Sequence, residues 1–349
     1  MLARLPKVPW SLVGLLLSAC TPLETGSETS PCELALPPAA PGADTGDDGS
    51  EMPPLVWAAR SLSTGIEKEA SDQFEFEYRR YGFDLDGHCT RNGTDPGCVA
   101  PESFAEISDG PGGRDYGANL LAAENVLLGG GRIGDFTSAV NLDGGTLIVR
   151  VTGYNGRSTD RDVTVEAFWA TLAHSRGTRG GARWDGSDVW LPFPHRSSDD
   201  GNDSVSVARR AYVSEGILVA RFDEIWIRDS PFPPFPLFKV TLAGPLERNG
   251  DGVSLGRTDM ASVVQLDVLL AEFAAVSERG IRCRPRAEYE IVRDVLCNYA
   301  DIRARDNDAT KPCDGLSSVV SISWSPARLG PPTEPPLPQL PPCEALSCE

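Results

Sequence analysis

Apolar and polar residues alternate along much of the chain. Phe74, Phe76 and Tyr78 are interleaved with Glu75, Glu77 and Arg79, which puts aromatics on one face of a strand and charges on the other. Similar period-two or wholly apolar runs occupy residues 147–151, 163–172, 207–213, 217–222, 224–228, 236–242 and 316–324. Turn-forming clusters separate them, as at Asn141-Leu142-Asp143-Gly144-Gly145 and Ser214-Glu215-Gly216. Many short strands without alternating helices predict a mainly-β fold, an antiparallel β-sandwich of jelly-roll or concanavalin-A-like type.

One region departs from that period. Between residues 259 and 276, Val263, Leu266, Leu270 and Phe273 recur at helical spacing, opposed by Ser262, Gln265, Asp267 and Glu272. A second helix is predicted from Pro285, a residue suited to the first helical position, to about residue 300, with Tyr289, Val292, Leu296 and Tyr299 on one side. The run at 316–324 follows these helices and needs a sheet to join. The pair is therefore read as an insertion, about residues 259–303, within one sandwich spanning 54–329.

The ends of the chain have a different texture. Arg4 and Lys7 precede an apolar stretch, Trp10-Ser11-Leu12-Val13-Gly14-Leu15-Leu16-Leu17, in the order of a signal peptide. That stretch is far shorter than the roughly 20 residues a bilayer-spanning helix needs. Leu17-Ser18-Ala19-Cys20 follows it and resembles the lipobox of bacterial lipoproteins. The resemblance implies removal of residues 1–19, acylation of Cys20 and attachment to a membrane. Thr21 in place of aspartate implies the outer membrane. Residues 20–53, rich in Pro, Gly, Ser, Thr and acids, are expected to be a disordered tether, and residues 330–349 a Pro-rich tail.

Charge narrows the range of partners. The leader carries two cations and no acid, so its removal takes the formal charge from −18 to −20. A surface that acidic repels phosphate backbones, which excludes nucleic acid as an expected partner. Export into an oxidising compartment turns the cysteines beyond Cys20 into a disulfide framework. Cys89 and Cys98 bracket a polar loop and are expected to close it, while Cys283, Cys297 and Cys313 form a second group with an odd member directed to a tail cysteine. No close C-x-x-C pair exists, so structural zinc is not expected.

Candidate chemistry is sparse. Asp84-Leu85-Asp86-Gly87, with Asp109, Asp115 and Asn119 further on, offers the oxygen donors that Ca²⁺ takes, although the same residues also serve as plain turn formers. Trp184 and Trp190, flanked by polar residues, are the expected loop-exposed aromatics for stacking on a glycan. Glu224-Ile225-Trp226-Ile227-Arg228-Asp229 resembles the E-I-D-x-x-E signature of laminarinase-like glycosidases. That resemblance implies Glu224 and Asp229 as a carboxylate pair, but Trp226 replaces the middle aspartate and Asp229 the final glutamate. Gly252-Val253-Ser254-Leu255-Gly256 follows a turn instead of a strand, and all three histidines precede it, unlike a serine hydrolase elbow.

The lipobox, the acidic tether, the Gly82-Phe83-Asp84-Leu85-Asp86-Gly87 turn and the Cys313-Asp314-Gly315-Leu316-Ser317-Ser318 run together resemble surface lipoproteins of myxobacteria. The sequence thus points to an exported, membrane-anchored envelope protein, a non-enzymatic binding or structural module for a glycan or envelope protein, with Ca²⁺ as its candidate cofactor. The alternative is a secreted polysaccharide hydrolase.

Overall fold

The alternating runs pair into one closed circuit of strands. A computed structural model describes residues 34–42, 51–68, 74–89, 97–101, 109, 113–127, 140–141, 145–173, 181–193, 206–227, 235–250, 252–275, 286–333, 343 and 347–348. Cys20, Cys283 and Asp229, and most of the expected tether and tail, lie outside them. The strands are β1 (Leu55–Ser63), β2 (Ile66–Lys68), β3 (Phe74–Phe76), β4 (Val140–Asn141), β5 (Gly145–Thr152), β6 (Asp160–Leu172) and β7 (Val189–Pro192). They continue as β8 (Ser206–Ser214), β9 (Ile217–Ile227), β10 (Phe235–Asn249), β11 (Gly252–Leu255), β12 (Thr258–Gln265), β13 (Gly315–Pro326) and β14 (Arg328–Leu329). The described residues are mainly β, as the alternation predicts.

Neighbours in the main sheet run β6-β5-β1-β13-β12-β10-β9-β8, all antiparallel, and β8 pairs again with β6 to close the circuit. Its two halves enclose a single apolar interior. Every strand of the circuit contributes: Trp57, Val149, Val165, Ala211, Ala220, Leu242, Met260 and Ile322 are all buried there. Each fully buried aliphatic side chain contributes about 1.5–3 kcal/mol relative to exposure, so this packing is the main source of stability. Side chains fill the interior, which leaves the outer faces as the place for chemistry.

Those outer faces are partly covered. Helix α1 (Gly117–Leu127), which the sequence pattern does not announce, packs Ala123 with Ala261 of β12 and Val319 of β13. Between β12 and β13 come α2 (Leu266–Ala275) and α3 (Arg286–Asn298), joined through Leu270, Ala274, Tyr289 and Leu296, with the Tyr289 hydroxyl donating to Leu270 O at 2.8 Å. No helix among the described residues is long and apolar enough to cross a membrane.

Two expectations are corrected here. Residues 259–265 are strand, not helix, because β12 is hydrogen-bonded on both sides, to β10 and β13. Met260 faces the interior while Ala261 and Val263 face the outer clusters, so the period of two is masked by burial on both faces. The loop bracketed by Cys89 and Cys98 is not closed by those two residues: Cys98 is bonded to Cys313, and Cys297 to Cys348 in the tail. Long-range backbone pairing decides this, since Val99 N–H donates to Lys311 O at 2.8 Å and Cys313 N–H to Val99 O at 3.0 Å. Cys89 and Cys343 each take part in a further disulfide, with partners outside the described residues.

Candidate functional site

An acidic turn on the outside of the sheet brings carboxylates together. Asp84 and Asp86 fold it by accepting from the backbone ahead of them: Asp84 Oδ1 takes Gly87 N–H at 2.8 Å and Asp86 N–H at 3.3 Å, and Asp86 Oδ1 takes His88 N–H at 2.8 Å. Gly87 sits at φ 83°, a conformation that side chains disfavour, and lets the turn close. Asp115, just before α1, joins from a distance in sequence. Its N–H donates to Phe83 O at 3.3 Å and its Oδ2 accepts from Leu85 N–H at 2.7 Å.

These contacts gather three carboxylates whose oxygens lie within 4.8 Å of one another, all buried. Crowding like charges away from water favours the protonated forms. Burial pushes the Asp84 carboxyl up to about 6, with the charge of Asp86 adding to the effect and the Gly87 N–H opposing it. Asp115 is raised well above the usual range by burial first and then by Asp86, Asp109 and Asp301. A carboxylate-only donor set suits a hard divalent cation such as Ca²⁺, which takes six to eight oxygens; three side chains leave room for backbone and solvent.

The structure sorts the sequence candidates. Asp84, Asp86 and Asp115 come together; Asp109 is near enough to raise Asp115 but is outside the convergent trio. Asn119 is no ligand of it. Its Nδ2 donates to Thr64 O and Val319 O at 2.8 Å each, and its Oδ1 accepts Val319 N–H at 2.9 Å, so the side chain stands in for a strand partner and fastens α1 to β13.

A cavity of about 380 Å³ opens beside the turn, lined by Leu36, Pro37, Asp84, Asp86, Lys239 and Asn307 among others. Lys239 lies where the pairing of β10 with β12 slips, at φ 49°. Its ammonium donates to Asp306 O at 2.8 Å and Asn307 Oδ1 at 2.6 Å, and Asn307 Nδ2 donates to Asp86 O at 3.2 Å. Burial lowers the Lys239 pKa, while the charges of Asp86 and Asp115 oppose that shift.

Asp301, not singled out in the sequence, is a half-buried acid whose carboxylate is enclosed by donors. It accepts from Gly117 N–H at 3.1 Å, Ser317 N–H at 2.8 Å and the Ser317 hydroxyl, holding the start of α1 to β13. Burial raises it to about 6 and those donors pull it down. Its only sequence signal is an acid set among apolar residues in Tyr299-Ala300-Asp301-Ile302.

The remaining candidates do not converge on a site. Trp190 is fully buried on β7 with Phe168 and Leu172, and its ring lies 5.4 Å from that of half-buried Trp184, so the expected exposed pair is largely core. Residues bracketing β7 cover it, which loop composition alone does not reveal. Glu224 lies half-buried on β9, where its Oε1 accepts from Trp226 Nε1 at 3.2 Å. Ser254 is on the β10–β11 hairpin, accepting from Asn249 Nδ2 at 2.7 Å. No protein family model, curated protein or solved structure matches this chain.

Proposed function

We propose that the protein is an exported lipoprotein, anchored through Cys20 to the outer membrane, whose β-domain acts as a non-enzymatic binding or structural module of the cell envelope stiffened by Ca²⁺. The observation that carries the cation is the convergence of Asp84, Asp86 and Asp115 in one buried cluster. Bringing two loops of the chain together, that cluster is suited to stiffening. Anchoring rests on Leu17-Ser18-Ala19-Cys20 behind its apolar leader. The competing reading is polysaccharide hydrolysis through Glu224 and Asp229; Glu224 Oε1 accepts from the Trp226 indole, and Asp229 lies outside the described residues.

Calcium at 100 times its Kd stabilises a fold by about 2.7 kcal/mol. Melting of the full mature chain is expected to shift upward by several degrees in Ca²⁺ over chelator. A midpoint indifferent to both rules the cation out. Intact-mass measurement of the native protein is expected to show a chain starting at an acylated Cys20; an unmodified thiol there overturns the anchor.

A further inference from the structure

The stretch read from composition as tether does not all stand away from the domain. Residues 34–38 lie against it: Asp84 N–H donates to Ala35 O at 3.0 Å, the Tyr212 hydroxyl donates to Pro38 O at 2.5 Å, and Pro37 is buried between these points. Leu36 and Pro37 form one wall of the 380 Å³ cavity, whose other walls come from Asp84–Gly87, β9 and β10. Composition misses this docking because two prolines and small apolar residues look the same in a linker and in an extended strap.

We infer that residues 34–38 are a strap that closes this cavity, clasped at one end by Tyr212 and at the other by the acidic turn itself. Chemistry makes the strap removable. Pro37 and Pro38 have no N–H, so this segment cannot be woven into the sheet as a further strand. The bonds to the domain named above use its carbonyls alone, and Leu36 stays 58% exposed. A segment held among the described residues by these two hydrogen bonds and one buried proline opens locally without unfolding what lies beneath. Opening it bares Asp84, Asp86 and Lys239 to solvent.

One residue links the strap to the cation site. The Asp84 amide holds Ala35 while its carboxylate faces Asp86 and Asp115, so occupancy of the cluster and closure of the strap bias each other. This part rests on the cation reading proposed above. A cation that orders the turn slows strap opening, and a closed strap slows cation release.

The test uses the full mature chain with Tyr212→Phe, which keeps the ring in its apolar setting and removes the clasp, and Pro37→Gly, which loosens the strap through backbone entropy. Deuterium exchange at the Asp84 amide is expected to run about fivefold faster in Tyr212→Phe, the factor that one ordinary hydrogen bond is worth, with β5 and β6 unchanged. Terbium luminescence, followed after adding chelator, is expected to decay faster by a similar factor in both variants. Equal Asp84 exchange in wild type and both variants overturns the strap. If exchange speeds up and terbium leaves at an unaltered rate, the link to the cation is overturned. If wild type binds no terbium, the cation reading fails and the strap is judged on exchange alone.

Discussion

Two acid sites withdrawn from solvent on the same outer surface have opposite designs. Asp301 is surrounded by donors, two N–H groups and a hydroxyl, all from the elements it joins. Asp84, Asp86 and Asp115 instead face one another, with backbone N–H groups on one side of each and further carboxylates on the other. Both sites make room with a glycine. A Cβ on Gly117 would run into the Asp301 carboxylate, and one on Gly97 into that of Asp86. A buried charge met by donors fastens a fold, whereas buried charges that meet each other leave an electrostatic cost for something else to offset.

The comparison breaks most visibly at Asp301. Asp301→Ala strips the Ser317 N–H and hydroxyl of their acceptor, while Gly117 N–H keeps Ser317 Oγ at 2.7 Å, and is expected to cost about 3 kcal/mol in urea unfolding, with or without calcium. A loss below about 1 kcal/mol would mean that the donors are rescued by water and that the site is not a fastener.

Acidity separates the two next. Asp84 and Asp301 have folded-state pKa values raised to about 6, above the ordinary 3.8 of an unfolded aspartate. The folded state therefore holds protons more tightly, and stability falls as pH rises from about 4 through 6. In chelator, unfolding free energy is expected to drop over that window by up to about 3 kcal/mol for each of the two carboxyls, at about 1.4 kcal/mol per pKa unit. Saturating Ca²⁺ is expected to remove the share belonging to the cluster and leave that of Asp301. A pH profile identical in both media contradicts the assignment.

The finest distinction comes from charge removal without a change of shape. Asp115→Asn relieves repulsion and keeps an oxygen for Leu85 N–H, so in chelator it is expected to stabilise by about 1 kcal/mol while abolishing the calcium response. Asp301→Asn turns an acceptor into a donor among donors and is expected to destabilise. Equal signs for the two substitutions, measured by urea unfolding, would erase the contrast.

How much of this was legible depends on how many faces of a residue are buried. The first half of β6 and the end of β9 alternate visibly because one face there is polar, whereas β5 and β10, covered on both faces, were legible as short wholly apolar runs. In β12 both faces are covered, Met260 by the interior and Ala261 by α1, so its apolar residues merged with the helical spacing of α2. Helix α1 was silent because it starts at Gly117 without a local capping signal; Asp301 from another element and Asn119, reaching from α1 to β13, hold its start. Asp84 and Asp86 were legible through local turn chemistry, and Asp115 through a nearby Asp/Gly-rich stretch. Asp301 was not, since its partners lie on two other elements and nothing in the adjacent sequence announces them.

The link between Cys98 and Cys313 ties positions 215 residues apart. A peptide bond cut in any loop between them leaves two pieces that are still joined covalently, held besides by the sheet that both contribute to. Such a nicked molecule is expected to migrate as one band in electrophoresis until a reductant is added, and to survive encounters with proteases that would scatter an unlinked domain.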